Sequence, residues 1–146
     1  MRKLISSLSI LLLSATLGLA IAFDSVIKEY KGIFLGTERD QVRQKLGDPK
    51  DEFPAEDSFE FSGDESVRVF YDDAKKVKAI VVTYSGKMEA APKPNDVVGE
   101  AVEARPDGGM YKMVRFEEKG FWVSYVKIAG DHPSVIITVQ SMPKST

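Results

Sequence analysis

Six short stretches of alternating apolar and polar residues constrain the fold of this chain more than any other feature. They span about 58–62, 67–71, 77–84, 111–117, 121–128 and 134–140. A period of two is typical of β-strands with one buried face, and the Gly- and Asp-containing segments between the stretches favour tight turns. The third stretch contains Ile80-Val81-Val82, which is apolar on both faces and predicts a central strand covered on both sides. The pattern therefore predicts two three-stranded antiparallel meanders.

Helical signals precede each meander. Thr37 stands at an N-cap position, Val42 and Leu46 are one turn apart, and Gly47 ends the segment, so we expect a helix over about 38–46. A shorter helix is expected before it, capped near residues 24–25 and ended by Gly32, and a single helical turn over about 95–101.

Together these elements predict an α+β domain over 23–146: a helix pair plus an antiparallel meander, approximately duplicated, with about six strands and the helices on one face. The first half spans about 23–86, a Pro-rich linker about 87–95, and the second half about 96–142.

The first 22 residues have the three parts of a secretory signal. Arg2 and Lys3 precede an uncharged apolar run over 4–19, and Ala20 and Ala22 place small residues at the −3 and −1 positions of a cleavage site. We expect cleavage before Phe23 and a periplasmic or secreted protein. Residues 23–146 then hold 18 basic and 22 acidic residues, a net charge of −4 that disfavours nucleic acid and anionic lipid as partners.

The sequence contains no cysteine. Disulfides, zinc–thiolate sites and cysteine nucleophiles are therefore excluded, and packing and hydrogen bonds must hold the fold. Phe23 stands where a bacterial lipoprotein carries its acylated cysteine, so we expect no stable membrane anchor after cleavage.

The motif Gly36-Thr37-x4-Val42-x3-Leu46-Gly47-x-Pro49, followed by Val67–Tyr71 and 77–80, resembles the SmpA/OmlA family of small outer-membrane assembly lipoproteins and the related β-lactamase-inhibitor-like domains. The resemblance covers about residues 33–84. It implies helices followed by a three-stranded meander, and a role in protein–protein contact without catalysis, either in outer-membrane assembly or against a secreted enzyme.

Candidate catalytic and metal-binding groups are sparse. His132 is the only histidine and lies in a predicted turn beside Asp131, where a hydrolytic triad is difficult to assemble. Six acidic residues could offer calcium ligands, but their spacing lacks that of a recognised calcium loop and favours a solvated acidic segment; they are Asp48, Asp51, Glu52, Glu56, Asp57 and Glu60. We therefore predict no catalytic residue, no metal and no cofactor.

Aromatic residues are the remaining candidates for function. In the stretch 121–128, Trp122 shares a face with Ser124, Val126 and Ile128, and Tyr125 lies on the opposite face. Exposed aromatics on a sheet would form a docking surface, whereas curvature could instead bury them as a second small core. The predicted contact residues are Trp122, Tyr111, Tyr125 and Tyr84. We expect an exported, non-enzymatic module that binds an envelope or secreted protein; the alternatives are an inhibitor of a secreted or periplasmic enzyme and a small-ligand carrier.

Overall fold

The computed structural model describes residues 26–143, and a seven-stranded antiparallel sheet dominates this part of the chain. The elements, in chain order, are β1 (Glu29–Tyr30), β2 (Ile33–Phe34), α1 (Arg39–Leu46), β3 (Asp51–Phe53), β4 (Glu56–Ser62), β5 (Glu65–Tyr71), β6 (Val77–Ser85), α2 (Pro94–Val98), β7 (Met110–Phe116), β8 (Phe121–Ile128) and β9 (Ser134–Ser141). A 3-10 helix, Glu117–Lys119, links β7 to β8. The predicted signal segment lies outside the described residues.

All six predicted strands are present as β4–β9. They form two meanders, β4-β5-β6 and β7-β8-β9, whose last strands pair antiparallel so that the sheet order is β3-β4-β5-β6-β9-β8-β7. β6 is the central strand, as its apolar sequence predicted. Its predicted covering on both sides is wrong, because Val81 is only half-buried and lies outside the core.

The predicted fold class is wrong. Residues 26–143 are mostly β, with 47% strand and 14% helix, and the expected helix pair on one face of an α+β domain does not form there. The expected first helix is instead the hairpin β1–β2. Its two-residue turn, Lys31-Gly32, has positive φ at both positions (47° and 78°), the conformation of a tight hairpin turn. The expected helix had only three apolar residues, Val26, Ile27 and Tyr30, and in so short a segment this spacing fits a hairpin as well as a helical face.

The helix over 38–46 is confirmed as α1, with a different N-terminus. Thr37 does not cap it; the Thr37 hydroxyl accepts a hydrogen bond from the Phe34 amide (3.1 Å). Gly47, with φ 89°, ends the helix as predicted, and its amide donates to the Arg43 carbonyl. The short helical turn near 95–101 is found as α2.

The core lies on one side of the sheet. β5, β6, β8 and β9 bury alternate residues there, and the β1–β2 hairpin and the two short helices close it through Ile33, Val42, Val97 and Val98. The other side of the sheet is called the open face below. No helix within residues 26–143 is long and apolar enough to cross a membrane.

Candidate binding face

Cross-strand register brings apolar side chains together on the open face of β7, β8 and β9. Tyr111 pairs with Val126, which pairs with Ile136, so these three lie side by side across the strands. Met113 is the next residue of β7 on this face after Tyr111, and Trp122 and Ile128 are the residues of β8 on either side of Ser124 and Val126. We call these six residues the apolar patch: Tyr111, Met113, Trp122, Val126, Ile128 and Ile136.

The apolar patch is separate from the core. Tyr111, Met113 and Ile128 keep 47%, 37% and 46% of their surface exposed, and the other three members are half-buried against their neighbours. None of the six belongs to the buried core cluster or to the partly buried residues packed on it. Large apolar side chains held at the surface in one contiguous group are a feature of binding sites.

The opposite half of the open face is polar. On β4 and β5, the Arg68 Nε donates to Glu56 Oε1 at 2.6 Å, and the Arg68 guanidinium lies 5.0 Å from the Phe70 ring centre. Glu60 forms an ion pair with Lys50. The open face therefore changes from charged to apolar between its two meanders.

The structure separates the four predicted contact residues. Trp122 and Tyr111 lie on the open face, in the apolar patch. Tyr125 and Tyr84 lie in the core at 4% and 8% exposure, so neither is available to a partner at the surface. Burial raises the pKa of both phenols, and the Glu65 carboxylate adds to the rise at Tyr84. The predicted division of β8 into two faces is confirmed. The sequence did not show which face of β6 points into the core, and so did not show that Tyr84 is buried.

Sequence reasoning also missed four members of the patch: Met113, Val126, Ile128 and Ile136. Val126 and Ile128 stand on the same face of β8 as Trp122, so that alternation was a usable signal. Met113 and Ile136 join them only through the pairing of β7 and β9 with β8, which no local pattern specifies.

A second candidate is an ion cluster around Asp57 in β4. This carboxylate is fully buried, which corrects the expectation that it belongs to a solvated acidic segment. Arg39 donates from Nη2 to Oδ1 (2.5 Å), Arg43 donates from Nε to Oδ2 (3.0 Å), and the Tyr71 hydroxyl donates to Oδ2 (2.9 Å). Both arginines come from α1, one helical turn apart, so the cluster ties α1 to the sheet.

The Asp57 cluster is better explained as a contact that stabilises the fold than as a catalytic or ligand-binding site. Burial alone raises the pKa of Asp57, but hydrogen bonds from Arg43, Arg39 and Tyr71 outweigh burial and lower the pKa to about 2. The group is therefore a permanent anion at neutral pH, with its oxygens already occupied. No buried side-chain nitrogen or oxygen within residues 26–143 lacks a hydrogen-bond partner, so nothing in this cluster points to a missing ligand.

The other candidate groups do not converge. His132 is exposed in the turn between β8 and β9, and Asp131 beside it is exposed too. Among the described residues, no three His, Cys, Asp or Glu side chains are placed to hold a metal ion. An apolar void next to Tyr30 and Ile137 measures only about 10 Å³. By contrast, an open groove of about 840 Å³, lined in part by Arg115, Trp122 and Gln140, adjoins the apolar patch.

Comparison with known proteins adds no identification: no family model, no curated protein and no solved structure matches this chain. The resemblance to the SmpA/OmlA family stays a prediction.

Proposed function

We propose that this protein is an exported, non-enzymatic module that binds another protein through the open face of its sheet. The observation that carries the proposal is the apolar patch. Six apolar side chains from three adjacent strands lie on one face, three of them (Tyr111, Val126 and Ile136) are direct cross-strand partners, and no described element packs over them. An isolated exposed apolar residue needs no explanation, but a contiguous group does.

The composition of the patch favours a protein partner. Trp, Tyr and Met are enriched in the buried centres of protein interfaces, where aromatic rings cover a large area at small entropic cost. Arg115 and Gln140, which flank Trp122 on the neighbouring strands, supply a polar rim. Strand pairing holds all these positions in a rigid backbone, so that little ordering is needed on binding.

The carrier alternative has less support. Carried ligands are usually enclosed in cavities of several hundred Å³. The apolar void of about 10 Å³ is smaller than that by more than an order of magnitude, and the groove beside Trp122 is open. The inhibitor alternative is different, because an enzyme inhibitor is itself a protein-binding module. Identification of the partner would show whether this module inhibits an enzyme. Export rests on the pattern of residues 1–22, so we expect an envelope or secreted partner.

Capture from envelope extract tests the proposal with three baits. The wild type is compared with a double variant, Trp122→Ser with Ile136→Ser, and with Phe34→Ser. Phe34 is a matched control because its ring is also exposed but lies on the β1–β2 hairpin, away from the open face. We expect a partner that the wild type and Phe34→Ser retain and the double variant loses at least about tenfold, equivalent to about 1.4 kcal/mol or more for truncating interface anchors.

Crosslinking makes the test direct. A photo-reactive residue at position 111 should attach to the captured protein, whereas the same residue at position 34 should not. Urea unfolding of each bait checks that the fold is intact. Equal recovery by all three folded baits would contradict the proposal. Mass spectrometry of the exported product should show Phe23 as its first residue, and a product that retains Met1 would remove the argument for export.

A further inference from the structure

The two edges of the seven-stranded sheet are built differently. β3 forms one edge and has only three residues, followed directly by Pro54. Arg39 Nη2 donates to the Phe53 carbonyl and Lys75 Nζ donates to the Pro54 carbonyl, both at 2.8 Å. Short length, proline and side chains that occupy backbone groups are the devices by which proteins prevent an edge from pairing.

β7 forms the other edge and lacks the short length, the proline and the occupied backbone groups of β3; its one lysine, Lys112, lies on the core side of the sheet and is paired with Glu100 (Nζ–Oε1 3.1 Å). It has seven residues, no proline, and an unbroken register with β8 from Met110 to Phe116. Within residues 26–143, no hydrogen bond from a loop or side chain reaches the β7 backbone; those nearest to it end at Gly109 and Gly120. An edge strand of this length presents a row of free amides and carbonyls that can pair with another strand.

The register shows which backbone groups of β7 point outward. The Met142 amide donates to the Gly120 carbonyl (2.7 Å), one step beyond the Phe121–Ser141 pair. Bonded and non-bonded pairs alternate in antiparallel sheets, so even-numbered residues of β8 bond to β9 and odd-numbered ones bond to β7. Their partners on β7 are the even-numbered residues. The backbone groups of Tyr111, Met113 and Arg115 therefore point away from the sheet.

We propose that β7 pairs antiparallel with β7 of a second copy of this chain, with Met113 opposite Met113 on the two-fold axis. In this register Tyr111 of each copy stands opposite Arg115 of the other, so all outward-pointing residues are bonded and about six backbone hydrogen bonds form. The Arg115 guanidinium then lies beside the Tyr111 ring on the open face, a favourable cation–aromatic pair. The result is a continuous sheet of two copies.

Neighbouring registers are less favourable. A shift that centres the pair on Lys112 places two ammonium groups directly opposite each other, which destabilises a strand pair. A shift that centres it on Val114 places Tyr111 opposite Glu117, beyond the end of the strand, and leaves two bonded pairs within β7 instead of three. The Met113-centred pair also brings the two apolar patches side by side on one surface. The inference does not depend on the proposed partner binding, because it rests on the edge backbone.

Single cysteines test both the pairing and its register, because the chain has no cysteine of its own. In the proposed dimer, Met113→Cys places two Cα atoms about 5.5 Å apart, within the range of a disulfide. Tyr111→Cys is the matched control in the same strand: its two Cα atoms would be offset by four residues, about 13 Å along the strand and about 14 Å apart in all, beyond the range of a disulfide. Under mild oxidation we expect Met113→Cys to form a covalent dimer at least about tenfold faster than Tyr111→Cys.

Charge exchange provides a second test that needs no oxidation. Met113→Glu and Met113→Lys each place like charges on the axis and should sediment as monomers at concentrations where the wild type is dimeric, while their equimolar mixture should restore a dimer. A wild type that remains monomeric up to about 1 mM, well above the micromolar dissociation constants of weak specific complexes, would overturn the proposal. Equal crosslinking of the two cysteine variants, or no dimer in the mixture, would overturn it as well.

Discussion

Replacing Asp57 with Asn tests what holds α1 on the sheet. The substitution keeps the size and shape of the side chain and removes its charge. Arg39 and Arg43 would then lose the anion that both contact, while the Tyr71 hydroxyl would keep an acceptor. The cost is therefore mainly electrostatic, because the core beneath the cluster keeps its packing.

The expected cost follows from how much water reaches the cluster. Removing one partner of a fully buried ion pair usually costs about 3–5 kcal/mol, because the remaining charge stays buried. Here Asp57 has no exposed surface, but the side chains of Arg39 and Arg43 are 12% and 29% exposed and can be partly solvated. We therefore expect Asp57→Asn to lower the free energy of unfolding by about 2–4 kcal/mol, a large fraction of the stability of a small domain.

Urea unfolding followed by far-UV circular dichroism measures this loss. Glu60→Gln is the matched control: it also removes a carboxylate from β4 that is paired with a basic side chain, but the pair with Lys50 is exposed at the surface. Exposed pairs contribute about 0–1 kcal/mol, so the control should unfold almost like the wild type. An Asp57→Asn variant as stable as Glu60→Gln would refute the reasoning, since the buried anion would then contribute nothing beyond an exposed one.

Three further predictions test the charge state, the faces of the sheet and the orientation of β7. The pKa of Asp57 falls from 3.8 in the unfolded chain to about 2 in the folded protein, so the unfolded state takes up the proton first as the pH falls. The stability that this group contributes should therefore be present above pH 4 and decrease by about 2 kcal/mol between pH 4 and 2. Urea midpoints measured across this pH range should show the decrease in the wild type and not in Asp57→Asn. Val82→Ala should cost about 2 kcal/mol by urea unfolding, because Val82 is in the core, whereas Val81→Ala on the open face should cost less than about 1 kcal/mol; equal losses would mean that both faces are covered. Lys112→Pro removes an amide that bonds to β8 and should cost about 3 kcal/mol or more, whereas Met113→Pro removes an outward amide and should leave the monomer folded; the reverse order would invert the assigned orientation.

Local sequence predicted the strands well and the layer that covers them poorly. Each of β4–β9 carries its own alternation and its own turn, and these signals need no tertiary contact to be recognised. The α1 segment likewise carries its own stop signals, Gly47 and Pro49. The segment 26–34 is ambiguous: its few apolar residues suit a helix or a hairpin, and Gly32 suits a helix end or a hairpin turn. Its link to α2, through the Val26–Val98 bridge and the Ile27 amide that donates to the Val97 carbonyl, is a tertiary contact that no local pattern specifies.

The candidate site divides in the same way. Alternation along β8 was enough to place Trp122 and Tyr125 on opposite faces, as the structure confirms. It could not say which face is inside, and so Tyr125 and Tyr84 were predicted as contact residues although both are buried. Asp57 was grouped with a solvated acidic segment because its two arginine partners are 14 and 18 residues away, and no sequence spacing joins them.

The sequence alone determined the set of strands, the turns between them and the two-sided character of each strand. These features depend on backbone geometry and side-chain alternation, which act over a few residues. Only the tertiary structure decided how the two meanders join, which side of the sheet became the core, and which apolar residues were left together outside it. Those outcomes depend on contacts between residues far apart in sequence, and a strand pattern with period two is equally compatible with either face being buried.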